Sequence, residues 1–142
     1  MSDCIFCDII EGKCPASIVY SDEAVVAFMD IQPVNKGHVL VVPRLHSSNL
    51  AELDEEEAAA CMVVALKIAA ALRSTSLQCE GVNLFLADGE AAGQEVFHVH
   101  FHVFPRYAND GFGLRFSDEY TKLPPRSELD EVAAKIKDAL TS

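Results

Sequence analysis

The stretch Phe97-His98-Val99-His100-Phe101-His102-Val103-Phe104 sets an imidazole at every second position, with apolar residues between. Side chains alternate across a strand, so this spacing predicts three histidines on one face, about 6.6 Å between neighbours. Each buried ring has polar nitrogens that need partners, so crowding three together does not stabilise a fold by itself. Two chemistries fit. In one, the three rings hold a zinc ion, as in a zinc hydrolase. In the other, one ring is a nucleophile and its neighbours donate to an anion.

A second motif bears on the choice. Cys4 and Cys7 form a C-x-x-C, and thiolates at that spacing are strong zinc ligands. There is no second C-x-x-C, so two further ligands come from elsewhere. Only His38, His46 and the triplet supply imidazoles. His46, just past Pro43-Arg44-Leu45, is the natural third ligand, and one triplet histidine the fourth. A closed Cys2His2 site of this kind is structural, and it leaves two triplet histidines free. Cys14, Cys61 and Cys79 read as free thiols with packing roles.

The elements that must position these residues follow from pattern and punctuation. A short helical rhythm over residues 4–11 stops at Gly12 and Cys14-Pro15. Residues 18–20 and 24–29 read as a hairpin, and Pro33 to Gly37 as a turn leading into the strand 38–42. Asp54 is an N-cap with Glu57 as capping-box partner, opening a helix that runs to Arg73. Strands are predicted over 82–87 and 96–104, joined by the Gly-containing loop 88–94. Ser127 is expected to cap a last helix near 127–140. The fold class is α+β: an antiparallel sheet of about five strands with one long helix and short terminal helices. Residues 1–106 form the domain, and 107–142 an extension within the same folding unit.

The chain has 142 residues, 22 Asp and Glu against 11 Lys and Arg, and a formal net charge of −11. That length suits a single core. The acidity argues against nucleic-acid polymers and anionic membranes, which need a positive field. It leaves room for one small phosphorylated ligand held by local donors. No basic n-region with an apolar run opens the chain, and no apolar stretch is long enough to span a membrane. The expected location is the cytoplasm, with the nucleus also open. Arg44 and Arg106 each stand beside a Pro at a strand end, where they either reach phosphate or sit exposed.

Four blocks resemble the histidine triad superfamily: Cys4-Ile5-Phe6-Cys7-Asp8-Ile9-Ile10, Ala27 to Pro33, Gly37 to Arg44, and Gly93 to Arg106 with the complete triplet. The branch most similar is the adenosine 5′-monophosphoramidase, or nucleoside phosphoramidase, type. The resemblance implies hydrolysis of the P–N bond of AMP-amide and hydrolysis of aminoacyl or lysyl adenylates, releasing AMP or GMP. It implies His100 as the nucleophile, His102 bonded to the phosphate, and His38 behind His100 as its orienting partner. It also implies a structural zinc on Cys4, Cys7, His46 and His98, and no organic cofactor.

By the same resemblance, Asp30 binds the ribose hydroxyls, and Phe6, Ile9, Phe28, Ile31 and Leu40 line a purine pocket. The assembly implied is a homodimer with a sheet continuous across the interface. Ala87 stands where many relatives have Asn, and Glu95 where animal phosphoramidases have Ser; Glu95 flanks the leaving group and would favour a cationic amine. The chain has no Trp, so the C-terminal tryptophan contact of some relatives is absent. Two other activities share these residues: hydrolysis of dinucleoside polyphosphates such as diadenosine tri- and tetraphosphate, and nucleotide-binding regulation with weak catalysis.

Overall fold

A computed structural model describes residues 3–141. The chain divides into two compact units, one ending at Gly111 and the other starting at Phe112. In the first, a short helix α1 (Ile5–Ile10) precedes the strands β1 (Ile18–Ser21), β2 (Val25–Met29) and β3 (Val39–Pro43). The long helix α2 (Glu55–Arg73) follows, then β4 (Gly81–Phe85) and β5 (Phe101–Arg106). The five strands form one sheet in the order β1-β2-β3-β5-β4, with every neighbouring pair antiparallel. The α+β architecture expected from the pattern is the one observed.

The central strands read as near-continuous apolar runs because both of their faces are covered. Val25, Ala27, Val39, Val41 and Val103 pack against Cys61, Val64, Ala65, Ile68 and Leu72 of α2. The alternate residues Val26, Phe28, Leu40 and Val42 gather with Phe6 of α1 on the other face. Asp54 caps α2, and Glu57 reaches back to its amide at 3.4 Å, the reciprocal bond the sequence predicts. Gly37 is required by its backbone: φ is +105°, and a Cβ there would meet Leu72 and Leu77 at 3.1 Å. That turn delivers His38 to the start of β3.

Three boundaries differ from expectation, the first being β4, which ends at Phe85 and not at Ala87. The last strand begins at Phe101, not near Val96, although His98 and His100 precede it. The ladder with β3 stops at the Val41–Phe101 pair. Two residues further on, Val99 would face Pro43, which has no N–H to donate. In the second unit, α3 (Arg126–Thr141) already includes Ser127 in its first turn, so Ser127 is not its cap. That unit also holds a stacked Phe116–Tyr120 pair, 3.9 Å between ring centroids. Among the described residues, no helix is long and apolar enough to cross a membrane.

Candidate active site and metal centre

Cys4 is the N-cap of α1, and Cys7 lies one turn on, so a six-residue helix sets both thiols on one side. The Cys7 amide donates to Cys4 Sγ at 3.4 Å. His98 Nδ1 lies 3.3 Å from Cys4 Sγ and 3.5 Å from Cys7 Sγ. His46 Nδ1 is 3.5 Å from Cys7 Sγ and 3.2 Å from His98 Nδ1. One ligand atom from each of the four residues falls within 4.8 Å of the others. His98 Nε2 donates to the Pro43 carbonyl at 2.8 Å, which leaves Nδ1 with its lone pair toward the thiols. Metal-ligating imidazoles are oriented in this way by a carbonyl on the far nitrogen. Burial and Cys4 push the Cys7 thiol up to about 11, so without a cation it stays protonated. The donor set suits a tetrahedral, closed metal site.

The other two triplet rings are fixed just as definitely. His100 Nδ1 lies 2.8 Å from the carbonyl oxygen of His98, which can only accept, so Nδ1 carries the proton. In the neutral ring, Nε2 is then the unprotonated nitrogen. His38 Nδ1 accepts from the Val34 amide at 2.9 Å. Its proton is therefore on Nε2, which donates to His102 Nδ1 at 2.9 Å. His102 in turn carries its proton on Nε2. The site thus presents one lone-pair nitrogen on His100 and one N–H donor on His102.

This network revises the expected place of His38. It stands behind His102, not His100, while His98 orients His100. Asp30 completes the arrangement. One carboxylate oxygen accepts the Gln32 amide at 2.8 Å, and the other lies 3.4 Å from His38 Nε2 and 4.0 Å from His102 Nδ1. Asp30, His38 and His102 are near enough to suggest a second metal site. Ligation through His38 Nε2 would strip the ring of its proton or set Nδ1–H against the Val34 N–H, so the hydrogen-bonded chain is the better account. The three triplet rings do not converge on one point, and a zinc hydrolase using all three does not fit.

Burial dominates the electrostatics. It holds His38, His98 and His100 below the ordinary imidazole value. His102 is driven down to about 4 by burial first, then by His100 and His38, against the opposing pull of Asp30. The site is a cluster of neutral imidazoles at pH 7, which is why the tautomers matter. Neither strand-end arginine serves it. Arg44 donates to Asp22 O and Ser21 Oγ, both at 2.6 Å, and Arg106 holds Asp110 at 2.6 and 3.1 Å.

A family model described as HIT domain matches residues 11–109. The chain belongs to the HIT family. It is 48% identical over 116 residues to a HIT-like protein of Borreliella burgdorferi, covering 81% of this chain and 84% of that one. A Candida albicans histidine triad nucleotide-binding protein superposes with a TM-score of 0.85 at 29% identity, covering 98% of each chain. A zinc-bound histidine triad protein from Mycobacterium smegmatis gives 0.76 at 36% identity, over 96% of this chain and 97% of that one. A HIT family hydrolase from Legionella pneumophila gives 0.61 at 28% identity, over 71% and 90%. The HIT family thus includes nucleotide-binding proteins and hydrolases.

In this HIT domain, most of the expected pocket residues come together. Phe6, Phe28 and Leu40 are buried in one cluster with Ile9 against it. The Phe6 ring meets Phe28 at 5.4 Å and His100 at 5.0 Å, edge to face in both pairs. Ile31 is not brought into that cluster: it is 95% exposed, because it lies in the turn that Asp30 nucleates. Glu95 is exposed and lines a cleft of about 480 Å³ with Asp3, Cys4, His46 and Ser48. Ala87 is buried. Sequence reasoning gave no role to Gln94, nor to three backbone groups: Val34 N–H, Pro43 C=O and His98 C=O. The backbone groups carry no side-chain signal, whereas Gln94 stood in plain view beside Gly93.

Proposed function

We propose that the chain is a nucleoside 5′-phosphoramidate hydrolase that releases AMP or GMP from AMP-amide and from aminoacyl or lysyl adenylates. The observation that carries this reading is the His98 carbonyl on His100 Nδ1, which leaves His100 Nε2 as a lone-pair nucleophile. The purine occupies the cluster of Phe6, Ile9, Phe28 and Leu40, and Asp30 accepts from the ribose hydroxyls.

In the first step His100 Nε2 bonds to phosphorus while the bond to the leaving group breaks, P–N in AMP-amide and P–O in an acyl adenylate. In AMP-amide the leaving nitrogen takes up a proton from solvent as it departs, because an amide anion is too poor a leaving group, whereas an acyl adenylate releases a carboxylate. His102 donates its Nε2–H to a phosphoryl oxygen. The phosphorylated His100 ring is cationic, and its Nδ1–H bond to the His98 carbonyl stabilises that charge. Water then attacks phosphorus, the P–Nε2 bond breaks, and AMP leaves with its proton lost to solvent. Glu95 belongs to the leaving-group side of this reading and favours a cationic amine.

Cys4, Cys7, His46 and His98 would hold a structural zinc. Supporting this are the Cys2His2 donor set, the His98 tautomer and the zinc-bound M. smegmatis relative. Four protein ligands would leave such an ion no position for substrate, so its role would be structural, holding the His98 ring in place.

A homodimer through β4 completes the reading. β4 is an edge strand with Leu84 and Phe85 41% and 42% exposed, and the open face of α2 carries Met62, Val63 and Leu66. Such an edge invites pairing with a second copy. The discriminating experiment compares AMP-amide, lysyl-AMP and diadenosine tri- and tetraphosphate as substrates of wild type and His100→Ala. Faster turnover of AMP-amide and lysyl-AMP supports the phosphoramidase; preference for the diadenosine compounds moves the reading to polyphosphate hydrolysis. Binding without turnover leaves a regulator.

A further inference from the structure

His98 and His100 stand on backbone that the sheet does not hold, since the β3–β5 ladder ends at Val41–Phe101. Something else must fix these two residues relative to His46, which lies on a separate loop. One bond does part of this: the Val99 amide donates to Ser47 O at 2.8 Å. The His98 ring adds a bond to the Pro43 carbonyl at 2.8 Å, and one further side chain ties the segments together. Gln94 is 4% exposed. Its Oε1 accepts the Gly89 amide at 2.8 Å, and its Nε2 donates to Ser48 O at 2.7 Å and Val96 O at 3.1 Å. Both amide protons and the carbonyl are therefore in use.

The three partners belong to three different places. Gly89 is in the loop leaving β4, Ser48 is two residues past His46, and Val96 is two residues before His98. Gly89 and Gly93 take positive φ values, +100° and +96°, which folds that loop back so that the Gln94 amide can reach its own Gly89. Glutamate has the right length but no second donor, and methionine has the length with no polar group.

We propose that Gln94 is a positioning residue that sets the distance between the His46 loop and the His98–His100 segment, and thereby the aim of His100 Nε2. Its kinetic consequence rests on the reading of His100 as nucleophile. Its geometric consequence, the single tautomer of His100, does not.

The test uses the full chain as wild type, Gln94→Met and Gln94→Glu. Imidazole nitrogen NMR should show His100 as one Nδ1–H tautomer in wild type and as a mixture in both variants. With active sites counted by the pre-steady-state burst, kcat on AMP-amide should fall about 10- to 100-fold. KM should change by less than about threefold, because the Gln94 amide is fully engaged with Gly89, Ser48 and Val96. Variants that unfold more easily yet keep kcat and a single His100 tautomer would overturn the proposal. So would failure of both variants to fold, which would make Gln94 a purely structural residue. If one variant fails, the other decides. If wild type does not hydrolyse AMP-amide, the phosphoramidase reading fails while the NMR comparison still decides on Gln94.

Discussion

The carbonyl oxygen of His98 accepts the Nδ1–H of His100 at 2.8 Å, while the His98 ring itself points at Cys4 and Cys7. One residue thus belongs to two proposed sites, by its side chain to the Cys4, Cys7 and His46 cluster and by its backbone to His100. A shift of the His98 backbone would therefore disturb both at once.

Removal of zinc should therefore be felt first in stability and then in turnover. Chelation, or Cys7→Ser, should lower the thermal midpoint and reduce kcat on AMP-amide, with KM moving less. Metal content, calorimetry and steady-state kinetics on the same samples check this. Full activity in a metal-free, equally stable protein would separate the two sites.

His38 acts through His102. His38→Ala removes the donor that fixes the His102 tautomer and leaves the half-buried Val34 amide without its acceptor. The expected result is a kcat about 10- to 100-fold lower, the range of a misaligned acid or donor. Steady-state kinetics decide, and an unchanged kcat would mean that His102 needs no such partner.

The depressed imidazoles give stability a defined pH dependence. His102 sits at about 4 when folded and near 6.5 in the unfolded chain, and His38 is shifted in the same direction. Between those values the unfolded state binds more protons, so stability rises with pH there and levels off above about 6.5. The groups facing His102 are His38, His100 and Asp30, and Asp30 only partly offsets the burial. Thermal midpoints across pH 4 to 8 should follow this curve, and His102→Gln should flatten it. A midpoint that rises on acidification contradicts the assignment.

Gly37→Ala places a Cβ at a φ of +105° and within 3.1 Å of Leu72 and Leu77. The cost should be about 1–3 kcal/mol, measurable by denaturant unfolding, with kcat reduced as well because the turn presents His38.

Much of this was legible from residue spacing. The period-two triplet put its rings on one side even though the regular strand starts only at Phe101. The C-x-x-C helix and the Asp54–Glu57 box were readable because short helices and caps are local. The place of His38 was not, because it depends on the register of β3 against β5, which pairs Leu40 with His102. The strand boundary was missed for a related reason: the residue that ends the ladder, Pro43, is 56 positions away from Val99. Exposure of Ile31 follows from the Asp30 turn, and an apolar letter alone does not reveal it.

The central claim is that His100 Nε2 forms a bond to phosphorus. Rapid quenching of the full chain with excess AMP-amide, followed by intact-protein and peptide mass spectrometry, tests it most directly. The account predicts a transient nucleotidyl adduct on the peptide carrying His100, formed and lost at rates compatible with kcat. It predicts no adduct in His100→Ala, with turnover reduced at least about 10³-fold. Near wild-type turnover by His100→Ala, or an adduct on another residue, would contradict it.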